Sequence, residues 1–182
     1  ALKEIGFDQY LQAEQTGWVL YLEGATDLAI LRAFAEKLDH PARELLERPF
    51  VYYVGNQPPR AQEHFHALRE AKPDLAGVAI YDRLEKGLPA DPYLRQEMWR
   101  KREIENYLCQ EATLLAWAEA RAKTETGPLW GLPWREAMEK AIGKVRDALA
   151  SLGKPGPDSP DLKASDEFLE PVFKNFFAAL DR

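Results

Sequence analysis

Three acidic residues directly follow apolar stretches of the sequence or lie close behind them. Glu23 follows the run WVLYL at residues 18–22, Asp27 lies four residues further on, and Asp82 follows LAGVAIY at residues 75–81. Continuous apolar runs of this length are typical of strands that are buried on both faces. Because open parallel sheets bind ligands beyond the carboxyl ends of their strands, the three carboxylates are candidates for one functional site.

Carboxylates that converge at one sheet edge repel each other unless a cation lies among them. Carboxylate oxygens suit hard ions such as Mg²⁺ and Mn²⁺, and the sequence contains neither a G-x-x-x-x-G-K loop nor G-x-G-x-x-G. The alternative is structural: Asp27 would only stabilise the N-terminus of the helix after Gly24, and Glu23 would be solvated. The pattern alone leaves both interpretations open.

A second acidic group lies in the segment WRKREIENYL, residues 99–108. If this segment is extended, Glu103, Glu105 and Tyr107 share one face. If it is helical, the two glutamates point about 200° apart. On the pattern alone, solvated surface glutamates are the simpler interpretation.

The basic residues beside this segment stand out because the chain is acidic, with 24 Lys plus Arg, 30 Asp plus Glu and a formal charge of −6. Such a charge argues against nucleic-acid binding by bulk electrostatics alone, but not against an enzyme whose carboxylates hold metal ions. Arg95, Arg100, Lys101 and Arg102 could hold phosphates beside Trp99. The alternative is a solvated charged face.

Alternating strands and helices would position these residues. Strands are predicted at 18–22, 50–54 and 75–81, with a helix after each of the first two. This order with short connections predicts an α/β fold with a parallel sheet flanked by helices. After a loop at 83–93, helices are predicted at 111–123, at 134–152 and at the C-terminal end, where Pro171 lies near the first turn.

Four single residues carry further predictions. Thr26 is a plausible N-cap of the helix after the first strand. His64 and His66, two residues apart on a predicted helix, cannot bind one metal ion and are expected at the surface or its boundary. Cys109, the single cysteine, cannot form an internal disulfide and is expected in the core of a cytoplasmic protein.

The length and hydropathy of the chain set its class. A chain of 182 residues suits one domain. No stretch approaches the roughly 18 consecutive apolar residues of a membrane-spanning helix, so no membrane partner is expected. Because the sequence begins at Ala1, we expect it to be part of a longer protein.

Three segments resemble elements of a known family. WVLYLEGATDLAILRAFAEKL resembles the first motif of toprim domains, a hydrophobic strand followed by Glu-Gly and by Asp four residues after the Glu. AGVAIYDR resembles the second toprim strand with its terminal aspartate, and WRKREIENYL resembles the R-x-I-E-N-Y-L element of OLD-family (overcoming lysogenization defect) nucleases. These proteins pair an N-terminal ABC-type ATPase with a C-terminal toprim nuclease that carries a helical insertion, and this chain resembles the C-terminal part.

The resemblance implies a toprim-like parallel sheet with added helical parts. Residues 1–16 would form a tether or short helix, 17–110 the toprim core, 111–155 a helical insertion, and 156–182 a segment that returns to the core.

The resemblance also implies roles for individual residues. Metal ligands would be Glu23, Asp27, Asp82, Glu85, Glu103 and Glu105, with Glu105 contributing to a second metal site. Lys163 would stabilise transition-state charge, and DNA would be held by Arg83, Arg95, Arg100, Lys101 and Arg102. Toprim domains usually carry Asp-x-Asp at the second strand, whereas the third residue here is Leu84. Either Glu85 takes over this duty or one metal site is weakened.

The implied function is a DNA endonuclease that uses two Mg²⁺ or Mn²⁺ ions. ATP would act only through an ATPase domain outside this sequence, and that domain would be expected to drive homodimerisation. The alternative, which Leu84 favours, is a non-catalytic toprim-like scaffold that positions DNA or a protein partner.

Overall fold

The chain divides between Trp99 and Arg100 into an α/β unit and a helical unit. The computed structural model describes residues 5–127 and 131–181. Residues 100–110, which the resemblance assigns to the toprim core, belong to the helical unit. None of the helices in the described residues combines the length and apolarity needed to cross a bilayer.

The α/β unit is built on a four-stranded, all-parallel sheet, which confirms the predicted fold class and is consistent with a toprim-like architecture. The strands are β1 (Trp18–Leu22), β2 (Val51–Tyr53), β3 (Ala76–Tyr81) and β4 (Leu94–Met98). Their order across the sheet is β2-β1-β3-β4. The register places Leu22 opposite Tyr53, Tyr21 opposite Ala79 and Tyr81 opposite Met98.

Helices cover both faces of this sheet. They are α1 (Phe7–Thr16), α2 (Ala25–Lys37), α3 (Ala42–Glu47) and α4 (Pro58–Ala71). Alternation along β1 sends Val19 and Tyr21 into a core with α1 and α4, whereas Leu20 and Leu22 pack with α2 and α3. A central strand buried on both sides therefore appears in the sequence as a continuous apolar run.

The connections between strands leave the carboxyl edge of the sheet toward different faces. The chain passes from β1 to β2 through α2 and α3 on one face, and from β2 to β3 through α4 on the other. It must change faces because β2 and β3 lie on opposite sides of β1 and parallel crossovers are right-handed. After β3, Leu84 and Leu88 pack on the α4 side. The chain thus leaves β1 and β3 in opposite directions, as at the ligand-binding switch point of open α/β sheets.

Strand β4 was not predicted because it lacks a continuous apolar run. In its sequence LRQEM only Leu94 is buried, and Arg95, Glu97 and Met98 are exposed. This pattern is that of an edge strand, which charged residues protect from pairing with other chains.

One glycine marks the close approach of α4 to the sheet. A Cβ atom on Gly77 would lie 2.5 Å from a ring carbon of Phe65 and 2.8 Å from a methyl of Leu94. Only glycine therefore lets these two side chains meet over β3.

The helical unit contains a 3₁₀ helix (Ile104–Tyr107), α5 (Glu111–Glu125), α6 (Gly131–Ser151), a short π-helix (Ser165–Leu169) and α7 (Glu170–Ala179). Helices α5, α6 and α7 share one core, to which Cys109, Met138 and Phe176 contribute. The predicted helices are thus confirmed, as are the burial of Cys109 and the place of Pro171 in the first turn of α7.

Two predictions about single residues are wrong. Helix α2 begins at Ala25 with Gly24 as its N-cap, so Thr26 lies inside the helix. His64 is buried rather than at the surface: its ring stacks on Tyr52 at 3.7 Å, and its nitrogens bond to the Tyr21 hydroxyl at 2.9 Å and to Gln9 at 3.2 Å. Burial lowers the pKa of His64 to about 4. His66 is exposed, as predicted.

Candidate active site at the carboxyl edge of the sheet

Glu23 and Asp82 converge on the side chain of Asn56, which follows β2. The Asn56 amide nitrogen Nδ2 donates to Glu23 Oε2 at 2.6 Å and to Asp82 Oδ2 at 3.2 Å. Glu23 Oε2 and Asp82 Oδ2 are therefore separated by at most the sum of these two distances. Glu23 and Asp82 thus lie at the same edge of the sheet, where residues that directly follow two parallel strands are expected.

Backbone conformation brings Asn56 to this position. Pairing with β1 continues past β2, since Val54 N–H donates to Leu22 O at 2.9 Å and Gly55 N–H to Glu23 O at 3.3 Å. Gly55 and Asn56 then both adopt φ of 57°, in the left-handed region. Glycine and asparagine are the residues that enter this region most readily, so Gly-Asn suits the turn.

A third hydrogen bond fixes the orientation of the Asn56 amide. The backbone N–H of Asp82 donates to Asn56 Oδ1 at 2.9 Å. Because Oδ1 must face that donor, Nδ2 faces the two carboxylates, and the flipped amide would present an oxygen to each of them.

Asp27 has a different place in the site. Its Oδ2 accepts a hydrogen bond from the backbone N–H of Glu23 at 3.1 Å, which closes the turn between β1 and α2. Partial burial, reinforced by the nearby Glu23 charge, raises the pKa of the Asp27 carboxyl above its ordinary value. In this structure Asp27 therefore holds the backbone of Glu23 at the N-terminus of α2.

The residues that follow Asp82 differ in their burial. Leu84 packs against the core that β1, β3 and α4 share, whereas Glu85 is exposed and Arg83 is partly buried. Position 84 thus has a packing role that a carboxylate could not fill without desolvation.

We tested whether these residues fit a divalent metal ion. The described residues contain no group of three or more His, Cys, Asp or Glu side chains arranged to hold one. Glu23 and Asp82 do form a pair of converging carboxylates, and Mg²⁺ commonly binds proteins through one or two carboxylates with waters completing the shell. The edge thus offers two converging carboxylates, and the described residues supply no third side chain of this kind beside them.

In the helical unit, Glu103 and Asn106 anchor the backbone. Glu103 is only 5% exposed, and with Asn106 it forms a reciprocal capping box at the 3₁₀ helix. Glu103 Oε1 also accepts from the backbone N–H of Ser165, and Asn106 Nδ2 donates to Leu162 O at 2.9 Å. The segment is thus neither a strand nor a regular helix, and Glu103 ties it to the chain near Lys163. Glu105 is partly exposed on the 3₁₀ helix.

Lys163 lies at the start of the C-terminal helical segment and is paired. Its ammonium forms a salt bridge with Asp166, which raises the pKa of Lys163 above its ordinary value. Its backbone N–H donates to Glu167 Oε2 at 3.1 Å.

The predicted DNA-binding residues are divided between the two units. Arg95 belongs to the α/β unit, where it is exposed and forms an ion pair with Glu97 at 3.1 Å. In the helical unit, Arg100 is exposed, Lys101 Nζ donates to Asn106 O at 3.3 Å and Arg102 donates to Asp161 O at 3.2 Å. Two of these cations thus have backbone partners within their own unit.

Asn56 is the site residue that sequence reasoning missed. The signal was present, because Gly55-Asn56 closes the second predicted strand and carboxyl ends of parallel strands share one edge. A Gly-Asn pair is also an ordinary turn sequence, so it indicated the end of a strand and nothing more.

The α/β unit is therefore a parallel-sheet domain with two converging carboxylates at its topological switch point. A scan of protein-family models finds no match to the chain, and searches of curated proteins and of solved structures find no significant match either.

Proposed function

We propose that this chain is the nuclease part of an OLD-type protein, a DNA endonuclease that depends on Mg²⁺ or Mn²⁺. The observation that supports this most directly is the convergence of Glu23 and Asp82 on a single amide nitrogen at the switch point of the sheet. Carboxylates placed in this way suit a hard cation, and phosphodiester hydrolysis is chemistry that such a cation promotes.

Each residue of the edge has a distinct task in this proposal. Glu23 and Asp82 bind the ion, and Asp27 orients Glu23 through the hydrogen bond from the Glu23 backbone N–H. When bound, the ion supplies Lewis acidity and neutralises charge on the phosphodiester. Glu85 is a further ligand in the same unit, whereas Glu103, Glu105 and Lys163, to which the resemblance also assigns roles, belong to the helical unit.

The substrate must approach two carboxylates, so basic residues are needed to hold its phosphates. In this proposal Arg83 and Arg95 of the α/β unit hold phosphates of the DNA, since phosphate contacts position DNA without reading its sequence. The other predicted DNA-binding residues, Arg100, Lys101 and Arg102, belong to the helical unit. The proposal also includes the ATPase domain that pairs with such nucleases, a homodimer formed through that domain, and a cytoplasmic location.

A specific observation also favours a second candidate function. Leu84, which is partly buried, packs against the core at the position where toprim domains usually carry an aspartate. A toprim-like scaffold that binds DNA or a partner without cutting needs no ligand there. The two functions differ in whether Glu23 and Asp82 are required.

Plasmid cleavage tests the proposal. Supercoiled plasmid is incubated with the protein and Mg²⁺, Mn²⁺ or Ca²⁺, with a chelator in a parallel reaction. Glu23→Gln and Asp82→Asn keep side-chain size but remove a charge, and Glu44→Gln, at an exposed position on α3, is the matched control. We expect metal-dependent nicking that falls at least about 100-fold in both site variants and is unchanged in the control.

The other outcomes are equally informative. If a folded protein cuts with none of the metals but retards DNA in a gel shift, the scaffold is the better description. If cutting persists in Glu23→Gln, the active site is not at this edge.

A further inference from the structure

We propose that strand β4 is a contact surface for a second copy of this chain, with the two β4 strands paired antiparallel about a twofold axis at Gln96. The pairing joins the two sheets edge to edge in a closed, symmetric dimer. The inference rests on the backbone and the charges of β4, and it does not depend on the proposed nuclease function.

The backbone of β4 has one side with which no other strand of the described chain pairs. β4 is the last strand of the sheet and pairs with β3 alone among residues 5–127 and 131–181. Trp99 N–H donates to Tyr81 O at 3.0 Å, so the odd-numbered residues of this segment direct their backbone groups toward β3. Because alternate residues of a strand direct these groups to opposite sides, those of Leu94, Gln96 and Met98 point away from β3.

Hydrogen bonds within the chain define how far this outward edge extends. Asp91 Oδ1 accepts from Leu94 N–H at 2.9 Å, so the outward groups left for a partner start at Leu94 C=O. The Gln96 side chain is bound to its own chain, since its Oε1 accepts from the Tyr81 hydroxyl at 3.2 Å and its Nε2 donates to Pro89 O at 2.6 Å. β4 therefore offers the backbone of Gln96, and not its amide side chain, to a second strand.

The charges of β4 are complementary to themselves. The side chains of Arg95 and Glu97 are 75% and 56% exposed and form an ion pair at 3.1 Å. In an antiparallel pair centred on Gln96, Arg95 lies directly opposite Glu97 of the second copy, and Glu97 lies opposite Arg95 of that copy. Residues opposed in this way, without backbone hydrogen bonds between them, have Cα atoms about 4.5 Å apart, and opposite charges there stabilise the pairing.

Only this antiparallel register satisfies both the backbone and the charges. If one strand slides by one residue, its outward backbone groups meet residues whose groups point toward their own β3. If it slides by two residues, Arg95 meets Arg95 or Glu97 meets Glu97, and like charges directly opposite each other destabilise a sheet. Charges that protect this edge from unrelated strands therefore admit a second copy in one register.

The backbone bonds of this register follow from the outward groups. Gln96 exchanges both of its backbone hydrogen bonds with Gln96 of the second copy, and Met98 N–H donates to Leu94 C=O of that copy. A strand of five residues gives a small interface. We therefore expect a weak dimer, with a dissociation constant on the order of 100 µM.

Charge reversal in the full chain tests the contact. Arg95→Glu and Glu97→Arg each place like charges opposite each other, so each should weaken self-association at least about tenfold in sedimentation equilibrium. The two reversals change the net charge in opposite directions, so overall repulsion cannot explain a loss in both. Arg43→Glu, at an exposed ion pair with Asp39 on α3, is the control with the same charge change as Arg95→Glu and should leave association unchanged.

Two combinations should restore the dimer. A one-to-one mixture of the Arg95→Glu and Glu97→Arg chains sets opposite charges across the axis again, as does the double variant that carries both changes. Melting curves confirm that each variant is folded. The measurements are made without DNA, because Arg95 also has a place in the proposed function.

Cysteine cross-linking tests the register. Arg95→Cys and Glu97→Cys chains, mixed and oxidised, should form a disulfide between different chains. Each variant alone should not, because two copies of one position are diagonal neighbours about 7–8 Å apart, beyond the reach of a disulfide. The single native cysteine, Cys109, is buried and does not compete.

The proposal is supported if both reversals weaken the dimer, the combinations restore it and the mixed cysteine variants cross-link. A wild type that stays monomeric up to about 1 mM, tenfold above the expected dissociation constant, would overturn it. A dimer that neither reversal weakens would place the contact elsewhere on the chain. Loss without restoration in the combinations, or cross-linking within a single cysteine variant, would refute the paired register.

Discussion

Replacement of Asn106 by alanine should destabilise the helical unit strongly. The Asn106 side chain is 1% exposed, accepts from Glu103 N–H at 3.0 Å and donates to Leu162 O at 2.9 Å. Alanine can do neither, so it leaves a buried backbone donor and a buried backbone acceptor without this partner. At about 1–3 kcal/mol for each unsatisfied buried group, partly offset by relaxation, the expected loss in the free energy of unfolding is about 2–4 kcal/mol.

Native-state hydrogen exchange is the suitable assay because it reports on the helical unit separately from the sheet. The amides of Glu103 and Ser165 should exchange faster in Asn106→Ala by the factor that corresponds to the lost stability. Asn175→Ala is the matched control: Asn175 is partly buried and donates only to Pro171 O, one turn away in α7, at 2.8 Å. It should cost less than about 1 kcal/mol, because alanine favours the helix.

This comparison can refute the reasoning. If Asn106→Ala and Asn175→Ala lose equal stability, the buried hydrogen bonds do not anchor the segment.

Two further predictions concern the α/β unit. Gly77→Ala should lower the free energy of unfolding of this unit by about 1–3 kcal/mol, because the new Cβ would overlap the Phe65 ring. Gly87→Ala is the control in thermal melting and should be neutral, because its Cβ would meet no atom within 4 Å. Burial depresses the pKa of His64 to about 4, so its neutral form stabilises the fold fully above the ordinary histidine pKa of about 6.5. This contribution, up to a few kcal/mol, is lost as the pH falls from about 6.5 to 4. A His64→Phe variant should therefore show a flatter pH dependence of its free energy of unfolding in this range. Equal slopes in the two proteins would disprove that His64 is buried in its neutral form.

At the carboxyl edge of the sheet, the Asn56 amide donates hydrogen bonds to two acidic side chains. Glu23 is exposed, whereas Asn56 and Asp82 are partly buried, so water screens the pair only in part. Two carboxylates at this separation repel each other, and the Asn56 amide offsets that repulsion with two donors.

The strands that hold the site could be predicted from sequence because they are buried on both faces. Residues 18–22 and 75–81 were predicted as strands, and β1 and β3 form at Trp18–Leu22 and Ala76–Tyr81. Strand β4 could not be predicted in this way, since its exposed face carries Arg95 and Glu97. Apolar periodicity reports burial, so an edge strand with little burial gives little signal.

The candidate site was only partly predictable for a related reason. The common edge of Glu23 and Asp82 follows from the rule that parallel strands end on the same side, which needs no side-chain geometry. Asn56 bonds to Glu23, which lies 33 positions earlier in the sequence, and to Asp82, which lies 26 positions later. No local pattern indicates such a contact, because it depends on the turn that follows a different strand.

By itself, the sequence determined the alternation of strands and helices, the parallel sheet and the edge at which Glu23 and Asp82 lie. These features depend on local apolar periodicity and on general rules of chain connection. Only the tertiary structure decided which polar residues are buried: His64 with Tyr21, 43 residues away, and Glu103 with Ser165, 62 residues away. A polar side chain can be buried only where distant parts of the chain supply its hydrogen-bond partners, and those partners exist only in the folded protein.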